Sequence, residues 1–384
     1  MSVTAAHGFR AAGVAAGLKS SGLLDVALVV NDGPEHAAAA VFTGNRVKAA
    51  PVVWSQQVVR DGRVDAVVLN SGGANACTGP AGFQDTHATA EWVAMALELS
   101  AGDVAVCSTG LIGDRLPIDR LLAGVDAAVP LLAVSGADDA ARAIMTTDSV
   151  PKQSLAVGAG GFLVGGMAKG AGMLAPGLAT MLVVVTTDAV VPADRLDAVL
   201  RRATSTTFDR VDSDGCMSTN DTVLLLASGA SGVAPGDEAL LVAVESVCAD
   251  LSRQLVDDAE GSTKSIAVTA TRAATVDDAV TVARSVARSN LLKCAIHGED
   301  PNWGRVLSAV GTTDAAFQPE HLAVALNGVW VCRDGAAAED RAKADLSARE
   351  VTITVDLGAG DAEATVWTND LTADYVHENS AYST

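Results

Sequence analysis

The chain has 384 residues, of which 49% are hydrophobic and 19% charged, so it can bury two or three compact cores and is not an intrinsically disordered polymer. Its formal net charge of −20 repels nucleic acid and anionic membrane surfaces, which excludes both as expected partners. No run of 18 apolar residues is present, so no transmembrane helix is expected.

The first 70 residues read as short strands: apolar runs at 25–30, 38–43 and 64–69 are bounded by Gly, Asn, Asp and Pro. The loop NSGGANACTG (70–79) is small and Gly-rich, able to bring backbone close to a ligand. Asp85 is placed to cap a helix over 86–99, whose apolar positions Trp92, Met95, Ala96 and Leu99 share one face. A buried strand at 104–107 then ends in STGLIG (108–113), a glycine-containing turn whose exposed N–H groups suit either an ordinary loop or an oxyanion hole. A short helix at 138–145 leads into MTTD (145–148), and 152–157 with 162–168 form a hairpin around GAGG. Beyond residue 181 come a buried strand (181–185), a helix (194–204), a strand (223–227), long helices at 237–255 and 276–287, and a tight turn at Asn327-Gly328. A helix at 339–346 and strands at 351–357 and 364–369 complete the chain.

Two of these stretches imitate binding motifs. Residues 170–175 fit the loose GxGxxG/A pattern, but Pro176-Gly177 interrupts the helix a dinucleotide would need. The three aspartates of DSDGCMSTNDT (212–222) lack the Glu of a calcium loop, and His297, Glu299 and Asp300 lack metal-ligand spacing. The first of these aspartate and histidine stretches reads as a structural loop near the site. No metal and no cofactor is expected. The six cysteines form no CxxC, and the N-terminus lacks a signal-peptide pattern, so reduced, mostly buried thiols in a cytoplasmic protein are expected.

The stretch 165–187 joins a glycine-rich segment to an apolar run, with a single hydroxyl, Thr180, at the junction. Its plain reading is a Gly/Pro turn feeding a core strand. Its chemical reading is a self-cutting junction. The threonine hydroxyl attacks the Ala179 carbonyl, and water then releases the ester. The new N-terminal threonine carries its own base, an α-amine with an unperturbed pKa of about 7.7–8.0.

KGAGMLAPGLATML (169–182) closely resembles the processing site of the ornithine acetyltransferases (glutamate N-acetyltransferases). STGLIG, MTTD, AEGSTK (259–264), HGEDPNWGR (297–305) and the terminal HENSAYST (377–384) resemble further motifs of that family, in the same order. The resemblance spans roughly residues 7–384. It implies a two-domain α/β fold of strand layers sandwiched between helices, with a larger domain over 1–283 and a smaller one over 284–384. Cleavage between Ala179 and Thr180 is implied, giving chains 1–179 and 180–384 that stay together in an α2β2 heterotetramer. Thr180 is then nucleophile and base, and Thr109 and Gly110 stabilise the oxyanion. Thr146, Lys169, Thr180, Glu260, Asn379 and Thr384 bind substrate. The implied reaction moves acetyl from N2-acetyl-L-ornithine to L-glutamate in arginine synthesis. Acetyl-CoA as a second donor, a role in secondary metabolism, and an N-terminal-nucleophile aminopeptidase of similar fold remain open at this stage.

Overall fold

The computed structural model describes residues 2–175 and 181–381. Two sheets stack face to face with helices outside them. The first has the order β1 (Phe9–Val14), β2 (Val26–Asn31), β4 (Ala66–Ser71), β5 (Val104–Thr109). The second has the order β3 (Ala37–Phe42), β9 (Thr222–Ala227), β8 (Leu182–Thr187), β7 (Leu163–Lys169), β6 (Lys152–Val157). Alternation decides which side chains go where. Leu182 and Val184 of β8 meet Phe9, Val29 and Leu69 of the first sheet, whereas Val183 and Val185 face the other way. A strand covered on both faces reads as a continuous apolar run, as residues 181–185 do.

The outer faces are closed by helices. α2 (Gly79–Leu97) and α3 (Ile118–Ala128) cover the first sheet, while α5 (Ala193–Thr206) and α6 (Asp237–Asp257) cover the second. α1 (Ala50–Val58) packs on β5, and α4 (Ala137–Ala143) packs on β1 and β2. The expected layering of strands between helices is what the chain adopts.

A third sheet follows in the order β13 (Ala336–Ala337), β12 (Val329–Arg333), β11 (Ala323–Leu326), β14 (Glu350–Asp356), β10 (Ser265–Ala273), β15 (Ala362–Asn369). It builds its own core with α7 (Val276–Ala287), α8 (Asn290–His297) and α9 (Trp303–Val310). Its membership begins with β10, and the boundary expected at 283/284 falls inside α7. Asn327 and Gly328 both have positive φ, as a two-residue hairpin turn requires. α10 (Ala373–Ala381) ends the described chain.

Three expectations fail locally. The helix over 86–99 begins at Gly79, because Pro80 sits where a missing N–H costs nothing. Asp85 therefore caps nothing; it is buried inside the helix and takes Arg115 in a paired contact at 2.7 Å. Residues 339–346 form only a one-turn 3-10 segment, Arg341–Lys343. The N–H groups of Ala338 and Glu339 donate back to Val331 and Trp330, keeping the chain extended past the point where a helix would begin. All six cysteines are free, but Cys77, Cys216 and Cys294 are exposed, so only half are buried.

Candidate active site

Strand ends create the site. β5 delivers Thr109 and Gly110, β7 delivers Lys169, and the turn after α4 delivers Thr146. The two glycine-rich loops meet backbone to backbone. The N–H groups of Gly72 and Gly73 both donate to the Thr109 carbonyl at 3.0 Å. Gly110 has φ +130°, and a Cβ there would lie 2.5 Å from the Gly73 nitrogen, so only glycine fits.

Lys169 is the central cation and is 2% exposed. Its Nζ donates to Thr146 Oγ1 at 2.7 Å and to Thr109 Oγ1 at 3.3 Å. Burial lowers its pKa, and Asp148, 4.0 Å away, works in the opposite direction. Asp148 is the organiser that sequence reasoning missed. Its carboxylate accepts from Thr146 N–H at 3.0 Å, from Gly170 N–H at 2.6 Å and from Lys152 Nζ at 2.7 Å. Burial pushes the Asp148 pKa up, but Lys169, Lys152 and these hydrogen bonds outweigh it and hold the carboxyl at about 2.

Replacing Asp148 by Asn should cost about 3 kcal/mol, because it removes the counter-ion of buried Lys169 and leaves Lys152 with Asp258 alone. Urea titration at pH 7 should find the midpoint lowered and the slope unchanged. The sign with pH follows from the depressed value. Stability from this carboxylate is complete above the unfolded-state value of 3.8 and is lost as pH falls toward about 2. The gap between wild type and Asp148→Asn should close over that window.

The segment leading to the junction is held at each step. Gly170 N–H is bound by Asp148, Ala171 O accepts from Glu260 N–H at 3.0 Å, and Met173 N–H donates to Asp214 at 2.6 Å. Leu174 O accepts from Ser213 N–H at 2.6 Å. Gly172 packs against Glu260, and a Cβ there would sit 2.5 Å from that carboxylate, so a side chain would have to displace it. Residues 170–175 are themselves in no helix.

On the far side, 218–222 braces the two halves of the site. Asn220 Nδ2 donates to Ala74 O at 2.6 Å and Ser108 O at 2.8 Å, tying down the turn that carries Thr109. Asp221 Oδ1 accepts from Met181 N–H at 3.0 Å, and Thr222 N–H donates to Met181 O at 3.1 Å. The structural loop expected over 212–222 lies against the site, as these contacts show. Its alternation of small polar residues before an apolar strand gave no sign of which atoms they would hold.

Thr109, Gly110, Thr146, Lys169, Glu260 and Asn379 line one cavity, drawn together from positions 270 residues apart, and Ser218, Thr219 and Asn220 close its other wall. Asn379 reaches it from α10, its Nδ2 donating to Glu260 Oε2 at 2.9 Å. Ala179, Thr180 and Thr384 lie outside the described residues. His297 is spent on Asp370, at 2.9 Å, and among the described residues no group of three metal-binding side chains occurs.

A family model described as the ArgJ family matches residues 10–384. The chain belongs to the ArgJ family. Its relatives include the arginine biosynthesis bifunctional protein ArgJ of Streptomyces coelicolor, 68% identical over 383 residues and covering 100% of both chains. The protein of the same name from Mycobacterium tuberculosis is 60% identical over 388 residues, covering 99% of this ArgJ-family chain and 96% of that protein. A crystal structure of the arginine biosynthesis bifunctional protein ArgJ from Bacillus halodurans is 34% identical with a TM-score of 0.50, covering 52% of this chain and 98% of that one. Among the described residues no helix of this family member is long and apolar enough to cross a membrane.

Proposed function

We propose that this chain is an N-acetyltransferase of arginine biosynthesis, which moves acetyl from N2-acetyl-L-ornithine to L-glutamate through an acetyl-Thr180 ester. The observation that carries the reading is the cavity. It has a buried cation, Lys169, and a carboxylate, Glu260, among its lining residues. An amino acid offers the matching pair, a carboxylate and an ammonium. Thr146, Asn379 and Thr384 would fix its orientation by hydrogen bonds. Thr109 and Gly110 would receive the oxyanion, and the Thr180 α-amine would take and return the proton. Cleavage at 179/180 is part of this reading. The solved Bacillus halodurans chain, matched over 98% of its own length, spans only 52% of this one, about the length of a piece released by a cut near the middle.

Family membership and relatives named as bifunctional support acetyl-CoA as a second acetyl donor, and the assembly in this reading is α2β2. Hydrolysis of the acyl-enzyme by water, as in an N-terminal-nucleophile aminopeptidase, is the competing outcome.

Donor and acceptor are amino acids of similar length, and one threonine holds one acyl group, so they use the pocket in turn. Enzyme given N-acetylornithine and isotopically labelled ornithine, with no glutamate, should pass label into the acetylated pool. Mass spectrometry reads the result. No exchange, together with intersecting initial-rate lines when both substrates vary, would require a ternary complex and remove the acetyl-Thr180 step. Free acetate as the main product in the presence of glutamate would mark a hydrolase.

A further inference from the structure

The cation and the carboxylate that line the cavity belong to separate segments, and a buried lysine outside the cavity joins them. Lys152 opens β6, and none of its side chain reaches solvent. Its Nζ donates to Asp148 Oδ1 at 2.7 Å and to Asp258 Oδ2 at 2.5 Å. Asp148 serves the cation's segment. It accepts from the N–H groups of Thr146 and Gly170, and its Oδ2 lies 4.0 Å from Lys169 Nζ. Asp258 serves the carboxylate's segment. It follows the last residue of α6, two positions before Glu260, and accepts from Ser149 N–H at 3.0 Å and from the Ser149 hydroxyl. A second tie joins the same two segments, since Glu260 N–H donates to Ala171 O at 3.0 Å. Two ties fix a spacing that one would leave free to hinge. Neither Lys152 nor Asp258 is among the residues lining the cavity. Such a bridge is a poor device for stability: taking these charges out of water offsets much of what their attraction returns, and apolar side chains of similar volume would hold the fold as well. Apolar side chains lack direction, however. Hydrogen bonds from one nitrogen to two carboxylates fix where both segments stand.

We propose that Lys152 is a positioning residue that sets the spacing between Lys169 and Glu260 and thereby selects substrate by length. This inference rests on the reading of the cavity as an amino-acid site given above. A diamino acid acetylated on its α-nitrogen keeps two charges, the carboxylate and the side-chain ammonium, separated by a fixed number of methylenes. A cation and a carboxylate held at one spacing match one such length. A donor one methylene longer or shorter satisfies one end and misses the other, which is worth roughly 10–200-fold in kcat/KM where the pocket does not yield. Where the pocket yields, it adapts to each donor and the discrimination falls. Lys152 touches no substrate in this scheme and acts only through Asp148 and Asp258.

The test compares N2-acetyl-L-ornithine with its homologues carrying one methylene more and one fewer, each with L-glutamate as acceptor. The readout is the ratio of their kcat/KM values, which does not depend on how much of a preparation is folded. Lys152→Met/Asp258→Asn removes one charge of each sign, so Lys169 keeps Asp148 as its partner while the bridge is gone. Wild type should prefer the ornithine donor over each homologue by at least about tenfold, and the double variant should bring that preference within about threefold. Its kcat/KM for the ornithine donor should fall by about 10- to 100-fold, chiefly through KM. If the double variant does not fold, Asp258→Ala takes its place: it cuts the bridge on the Glu260 side, keeps the Lys152–Asp148 pair, and should at least halve the preference, by about twofold or more. A wild-type ratio in whichever of these variants folds would overturn the proposal, as would a wild type that uses all three donors equally. A wild type that moves acetyl from none of them to glutamate would bring down the amino-acid reading itself. Transfer with an unchanged ratio would bring down only the role of Lys152.

Discussion

Thr180→Ala should yield one uncut species of 384 residues with no detectable acetyl transfer. Wild type should instead yield pieces of 179 and 205 residues that co-purify, the second being what remains of 384 after the first 179. Both losses come from one atom. In the proposed mechanism the hydroxyl attacks the Ala179 carbonyl, and after the cut it carries the acetyl ester. Alanine removes it while keeping a small side chain at that position, so the fold itself should be undisturbed. Thr180→Ser should cut more slowly and retain some transfer, because it keeps the oxygen and loses the methyl group that limits its rotation. Intact-mass analysis paired with a transfer assay reads all three proteins. A wild type that is fully active as a single uncut chain would sink the mechanism.

Thr109→Ala should lower kcat by about 10²–10³ with little change in KM, the usual effect of deleting one oxyanion donor. The geometry sharpens this expectation. Lys169 Nζ already donates to Thr109 Oγ1 at 3.3 Å, so a lone pair of that hydroxyl is engaged and its proton is free to point elsewhere. Lys169 also polarises the O–H bond, making it a better donor to a developing negative charge. Thr109→Ser should therefore keep most of the rate. A variant that binds substrate poorly while turning over normally would make Thr109 a contact of the ground state instead.

The layered core was legible because its strands obey simple alternation. Residues 181–185 read as a strand buried on both faces, as β8 is; the hairpin around 158–161 also forms, but in a register that turns Lys152 and Ser154 inward and leaves Leu155 and Val157 exposed. α1 departs from the expectation that the first 70 residues are short strands, since Pro51 and the β-branched Val52 and Val53 give little helix signal. In the fold Pro51 occupies the first turn, where its missing N–H is no loss. α3 was likewise passed over, although Leu121, Val125 and Ala128 do share a buried face. In the site, motif wording singled out the residues whose side chains face the cavity, Thr109, Thr146, Lys169 and Glu260. It did not single out Asp148, Asp214, Asn220 or Asp221, whose work is to hold backbone groups of other segments. An aspartate that accepts from Gly170 N–H and one on the surface are the same letter; only long-range packing separates them.

The order of the central sheet has a consequence for the life history of the molecule. β8 and β9 come after the 179/180 junction, yet they lie between β3 on one side and β7 with β6 on the other, all of which precede it. Six residue pairs join β7 to β8, and six more join β3 to β9. A cut there leaves two strands of one polypeptide laced into the middle of a sheet built by another. Before the cut, refolding is a search by one chain whose ends are tethered. Afterwards it is an encounter between two exposed half-sheets, whose rate depends on dilution and competes with aggregation. If the chain is cut as proposed, assembly of this fold is a single-use event: the polypeptide finds its structure while still whole, and cleavage removes the way back.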